Sequence, residues 1–382
     1  MKKSKSIRLC TITMLLSWYT SSLFAVEMDK DVPIGWATVP NDTTENTIGG
    51  GNGEVVTVTT NAELLDYALR KEPYVIIANG KFSGMITVNN DKTIIGGGSG
   101  AFLKGGFFLH QKGDNVILRN WEITGGNPNA PIPYMEDAIS ISEVTHVWVD
   151  HCNLYSCTDG LIDITRASDM VTVSWVKMSK HHKVMLVQNG QEQFPGEWDR
   201  LNTTIHHTYY AGGDTRNPRI GFSDALILNN YWNGCGGYGI HIHWECKLHI
   251  ERNYFQNVGD KISVHRGGKG KKTPKWGRIW EGWAVLEDNI PKSGYGVKSQ
   301  TDSSRIFNPD KVYMYDFIVD DVNSVPDIVS KGAMTGTEWS KLGAIPTPGQ
   351  GLVNTHKNPL LRWTKYGSKP SNKVYFGKTE DP

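Results

Sequence analysis

Along the middle of the chain, short apolar runs are broken at single polar or aromatic positions, and helical periodicity is almost absent. The segments ILRNWEIT, WVDHCNLY, TVSWVKMS, TIHHTYYA and ILNNYWNG each set a β-rich stretch ahead of a pivot: Asn120, His151, Trp175, His207 and Asn230. HIERNYFQ adds Asn253 with a one-residue offset. Neighbouring pivots lie roughly 23–32 residues apart, the interval of a solenoid repeat. One such unit is too short to bury a core of its own, whereas stacked units share one. Gly and Asn punctuate the runs, as strand boundaries require. The pattern predicts an all-β fold: a single-stranded right-handed parallel β-helix with an N-terminal capping helix and long loops. In such a stack, strands of successive coils lie about 4.8 Å apart, so residues distant in sequence line one face.

The flanks read differently. TNAELLDYALRKEP predicts one amphipathic helix, with Thr60 or Asn61 as N-cap and Pro73 ending it, placed to cover the open end of the first coil. Beyond about residue 259 the repeat fades into HRGGKGKKTPKWGRIWEGW, where Arg266, Lys269, Lys271, Lys272, Lys275 and Arg278 accompany Trp276, Trp280 and Trp283. That segment is either a solvated loop on a tryptophan-anchored base or a contact surface for an acidic sugar polymer. No Pro/Ser-rich linker divides the chain, so residues 26–382 are expected to form one domain with a repeat core over about 75–260.

Residues 1–25 read as a secretory signal, with MKKSKSIR as basic region and LCTITMLLSWYTSSLFA as apolar core, although Leu23 makes the cleavage site imperfect. A secreted location, extracellular or periplasmic, follows as an expectation, with no membrane association after signal removal. The formal charge of +1 falls to about −3 without the leader's four basic residues, and a near-neutral protein does not bind nucleic acid by bulk charge. A monomer is expected. Of the remaining cysteines, Cys152, Cys157, Cys235 and Cys246, none sits in CxxC or Cys/His metal spacing. Export permits a disulfide among them, and buried thiols are the alternative.

Against this scaffold stands an ordered set of charges: Asp137, then Asp159-Gly-Leu-Ile-Asp163, then Lys183 in HHKVML, then Arg216-Asn-Pro-Arg219. Three carboxylates suit a divalent cation, and three cations suit an acidic polymer. Together they propose chemistry on a polyanionic sugar with a metal between protein and substrate. His151, His206 and His207 fall at repeat pivots and read as structural imidazoles.

THVWVDHCNLYSCTDGLIDI, VTVSWVKMSKHHKVMLV and RNPRIGFSDALILNNYW resemble the pectate lyase family 1 of secreted polysaccharide lyases, and TIGGGNGEVVTVTTNAELLDYA resembles that family's amino-terminal region. The likeness covers roughly residues 33–260 and rests on the order of the motifs. It implies calcium-dependent β-elimination of α-1,4-polygalacturonate or pectin, leaving 4,5-unsaturated ends. By the same resemblance Asp137, Asp159 and Asp163 are calcium ligands, Arg216 is the base, and Lys183 and Arg219 contact substrate. A guanidinium is ordinarily always protonated, so the base role needs positive neighbours.

Two departures stand out. Gly221 replaces the second arginine of the family's RxPRxRxG pattern, and Met135 stands where some members carry a further aspartate. Residues 219 and 221 of a strand face the same way, so the loss predicts an open subsite beside Arg219 that tolerates an esterified sugar. The alternatives are a pectin lyase-like enzyme, which would not need the aspartates, and a non-catalytic pectin-binding β-helix. A polygalacturonase on a similar scaffold would carry NTD and RIK motifs, and neither occurs.

Overall fold

The structure is a computed structural model that describes residues 33–51, 53–125, 137–189, 195–266, 277–309 and 319–335. The expected leader, Met135 and the lysine-rich part of the basic segment lie outside the described residues.

The chain winds into a parallel β-helix. A ten-stranded parallel sheet, from Glu54–Val58 to Trp283–Glu287, forms the first face. Short strands from Trp121–Thr124 through Tyr254–Gln256 form the second face. Strands from Ile139–Ser142 through Asp260–Val264 form the third. The ten-residue strand Ala101–His110 spans the bend between the last two, pairing with Trp121–Thr124 at one end and with Ile139–Ser142 at the other. From Val116 to Val264 each coil thus contributes one strand per face, and every pairing among the described strands is parallel.

Alternation decides what the stack buries. Val147 and Val149 point inward with Val171 and Val173 of the next coil, then Ile205, then Ala225 and Ile227. Tyr210, Trp232 and Phe255 stack inside three successive coils at centroid spacings of 4.8 and 4.4 Å. Apolar side chains so matched form one continuous core along the axis, which no single coil could supply.

The corner between the first and second faces is made by a residue in the left-handed region. Asn120, His151, Trp175, His207, Asn229, Arg252 and Asp288 all take φ between 47° and 63° there. Their N–H groups bond along the stack, as in His151 to the Ser174 carbonyl and Trp175 to the His206 carbonyl. Ring stacking of Trp175 with His207 (4.3 Å) and with His151 (5.7 Å) adds contact at an otherwise unfavourable conformation. The expected pivots therefore move at two coils. Asn229, not Asn230, takes the turn, and Arg252 takes it ahead of Asn253. Asn230, Asn253 and Asn289 instead form an internal ladder, each amide oxygen accepting a backbone N–H of the preceding coil at 2.8–2.9 Å.

Helix Asn61–Leu69 begins with a capping box between Thr60 and Glu63 and buries Leu64 and Ala68 on the first coil's apolar end, the covering role expected of it. The helix ends at Leu69 with Arg70 as its C-cap, ahead of Pro73. A strap running from Trp36 to Gly50 crosses the outer side of the first face. Its backbone N–H groups and carbonyls bond in turn to Thr204, Thr172, His146, Asn115 and Thr93, on five successive coils. Phe307 packs beside it against Trp36, Leu226 and Leu228. All four described cysteines are free thiols, three of them buried. Among the described residues no helix is long and apolar enough to cross a membrane.

Candidate active site

The third face carries the charged set. Strand register aligns Ser140, Asp163, Leu186, Arg219, His241 and Ser263 on successive coils, all facing outward. One position class on adjacent strands thus gathers residues that the sequence separates by more than a hundred positions. Gly160 pairs with Lys183, and Lys183 bridges to Thr215, so Asp159, Lys183 and Arg216 sit near the upstream edge of the same face.

Asp137 and Asp163 come together around Gly160. A Cβ at that glycine would lie 2.7 Å from Asp163 Oδ1 and 2.8 Å from Asp137 Oδ1, so the two oxygens flank one small space that any side chain would fill. Gly160 N–H donates to Asp137 Oδ1 at 2.6 Å. Asp163 Oδ1 is buried and has no hydrogen-bond partner. Burial, followed by the charge of Asp137, pushes the Asp163 carboxyl well above the usual range, against the opposing pull of Arg216. Burial also raises Asp137, to about 6; the Gly160 hydrogen bond works against the shift and the Asp159 charge adds to it. Buried carboxylates that repel one another and leave an oxygen unpaired are the donor set a hard cation would neutralise.

Asp159 is turned to a different partner. Its Oδ1 accepts from Lys183 Nζ at 2.5 Å, and its backbone carbonyl lies 2.6 Å from His181 Nε2. Arg216 NH1 lies 3.8 Å from Asp163 Oδ2. The loop that carries Arg216 is fixed from below by Asn217, which is fully buried, donates to the Tyr238 carbonyl at 2.8 Å and accepts from Trp232 Nε1 at 2.6 Å. Arg216 itself takes φ 58°, which turns it out of the strand path. Arg219 is half-buried, with NH2 3.4 Å from His243 Nδ1, and burial lowers its pKa, with a smaller push from Arg216. The six residues singled out in the sequence therefore share one face.

The expected open subsite is not there. A Cβ at Gly221 would lie 2.6 Å from Gln188 Oε1 and 2.8 Å from Trp244 Cδ1, so these two side chains occupy the position that an arginine would need. His151 lies at the opposite corner of the coil, 2.6 Å from Asp150 Oδ2. His206 and His207 are buried there too, 2.9 Å apart through their Nδ1 atoms, and His207 reaches Asp320. Sequence reasoning missed Gly160 and Gln188. The glycine had a signal, since DGxxD places a residue without a side chain between two acids, whereas Gln188 had none.

Comparison with known proteins bears on the family and the fold. A protein-family model described as pectate lyase matches residues 34–304. A pectate trisaccharide-lyase of Thermotoga sp. strain RQ2 is 31% identical over 362 residues, covering 88% of this chain and 97% of the relative. A probable pectate lyase B of Aspergillus flavus is 35% identical over 237 residues, 60% of this chain and 70% of its own. Among solved structures, a pectate lyase from Bacillus sp. N165 in complex with trigalacturonate has a TM-score of 0.61 at 24% identity, over 80% of this chain and 99% of the other. The major allergen from cedar pollen has a TM-score of 0.64 at 22% identity, over 80% and 93% of the two chains. At such identities the structures speak for the fold alone. The class defined by fold and family model is that of the polysaccharide lyases, and the chain belongs to the pectate lyase family.

Proposed function

We propose that this chain cleaves α-1,4-polygalacturonate by calcium-assisted β-elimination on the third face, with Arg216 as the base. The observation that carries the reading is the unpaired, buried Asp163 Oδ1 beside Asp137 Oδ1 across Gly160, with Arg216 next to it. Asp137, Asp159 and Asp163 would hold the ion, all oxygen donors as calcium prefers. Bound there, calcium supplies positive charge against the uronate carboxylate and the negative charge that develops when the adjacent proton leaves.

The chain's own residues do the rest. Asp159 would be shared between a cation and Lys183, and an ammonium released from the 2.5 Å pair would be placed to bind a uronate carboxylate. Likewise the ion and Arg216 compete for Asp163. Arg216 then takes the C5 proton. The C–H electrons form the C4–C5 double bond, the bond from C4 to the bridging oxygen breaks, and that oxygen leaves with the electron pair and takes a proton from water to become a hydroxyl. Arg219, farther along the same row, binds a second carboxylate.

The leader-like sequence supports export as the setting for such a reaction. The test is ultraviolet absorbance of the unsaturated product on polygalacturonate. Absorbance should grow with calcium, stop with chelator and resume when calcium is restored. Arg216→Lys should keep the fold but lose about 100-fold or more in turnover, because an ammonium cannot reproduce the guanidinium geometry. Turnover within a few-fold of the parent would remove Arg216 from the mechanism.

A further inference from the structure

We propose that His241, His243 and His265 form a second metal site on the third face, for an imidazole-preferring divalent ion of the zinc class. His241 and His243 flank one inward residue at the end of strand Tyr238–Ile242, so their rings share the outer side. Strand Asp260–Val264 runs beside it with Ile242 opposite Val264, which sets His265 opposite His243. Each ring can offer one nitrogen to a common point, and these nitrogens lie within 4.8 Å of one another. Ligands at about 2.0–2.1 Å from a tetrahedral ion stand about 3.3 Å apart, so a modest closure of the rings completes the set. His265 follows the last residue of its strand and is only partly buried.

The surroundings are those of a ligand set. His243 Nδ1 lies 3.0 Å from Gln188 Oε1, and with Nδ1–H donating there Nε2 is the nitrogen that would meet the ion. His241 Nδ1 is hydrogen-bonded to Ser263 Oγ at 2.7 Å. Such outer partners orient ligating imidazoles. Trp280 packs 5.1 Å from the His265 ring and 4.0 Å from Trp244, giving the site an apolar wall. Three imidazoles without a carboxylate select zinc, nickel or copper over calcium, so the set is chemically distinct from the aspartates. One feature opposes a cation: Arg219 NH2 lies 3.4 Å from His243 Nδ1 and 3.5 Å from Nε2, so the guanidinium must swing off the ligating nitrogen before an ion binds. It favours an ion whose open fourth position holds an anion, hydroxide or a carboxylate.

The experiment uses the full chain, without an affinity tag and stripped by chelator, titrated with Zn2+ by calorimetry and with Co2+ by visible absorption. The parent should bind one equivalent and show the ligand-field bands of bound Co2+. His265→Ala and His241→Ala should each lose the bands and weaken Zn2+ binding by at least about 100-fold, while Gln188→Ala weakens it about 10–100-fold. Asp163→Asn should bind Zn2+ like the parent. Circular dichroism identifies the folded variants, and either histidine variant suffices. Absence of binding in the parent, parent-like affinity in a folded histidine variant, or loss of Zn2+ in Asp163→Asn would overturn the assignment.

Discussion

Asp150 and Asp163 belong to the same coil, and each places at least one buried carboxylate oxygen on an outer face, yet their surroundings are opposite. Asp150, on the first face, has both oxygens engaged: Arg119 Nε at 2.7 Å and His151 Nδ1 at 2.6 Å meet one, and Ser174 Oγ donates to the other at 2.6 Å. Burial alone would raise its pKa, but the charges of His151 and then Arg119, followed by the hydrogen bonds of His151 and Ser174, outweigh it and hold the group at about 2. Asp163, on the third face, keeps one oxygen unpaired and is held well above the usual range. A buried charge that the protein satisfies by itself belongs to the architecture. A buried charge that it leaves unsatisfied is set aside for something that arrives from outside.

The contrast predicts opposite mutational outcomes. Asp163→Asn should lose about 100-fold or more of lyase activity while unfolding, in chelator, at the same temperature as the parent or a higher one, since a costly charge is removed. Loss of fold instead would place Asp163 with Asp150. Asp150→Ala should do the reverse, costing about 3–5 kcal/mol by stranding Arg119 while the folded fraction retains turnover. Thermal unfolding and specific activity per folded molecule separate the two. Calcium at a hundredfold excess over its Kd should stabilise the parent by about 2.7 kcal/mol, and Asp163→Asn not at all. Equal stabilisation of both would move the ion elsewhere.

The smallest effect is a matter of pH. The Asp150 carboxyl is depressed from 3.8 to about 2, so its contribution is present above about pH 4 and fades as pH falls through 2. Asp150→Asn should flatten that part of the acid-unfolding curve. A limb of unchanged steepness would assign acid sensitivity to other groups.

The coil stack was legible because each strand repeats inward apolar residues at a period the eye can count. The turn position was less so. In Asn229-Asn230 either residue tolerates the left-handed region, and only the ladder bond from Thr208 N–H to Asn230 Oδ1 decides between them. The six charged candidates were identifiable by order and resemblance, but their geometry hangs on Gly160, whose missing side chain makes room between two acids. Gly221 shows the limit of reading an absence. A sequence reveals that an arginine is missing, not that Gln188 and Trp244 have closed over the place. The cover of the first face had no signal, since the strap has no period and its partners lie as far as 168 positions away.

That strap changes how the molecule comes apart and how it is made. Coils in a solenoid touch only their neighbours, so an unlinked stack can fray from either end, one coil at a time. Bonded to five successive coils, residues 36–50 make separation of any neighbouring pair among those five break a shared tie, and that part of the array gains cooperativity that nearest-neighbour contacts do not give. The same reach delays assembly. The strap leaves the ribosome before its partners on the later coils, which must be synthesised and wound before it can dock, so the outer side it covers stays bare until late in folding.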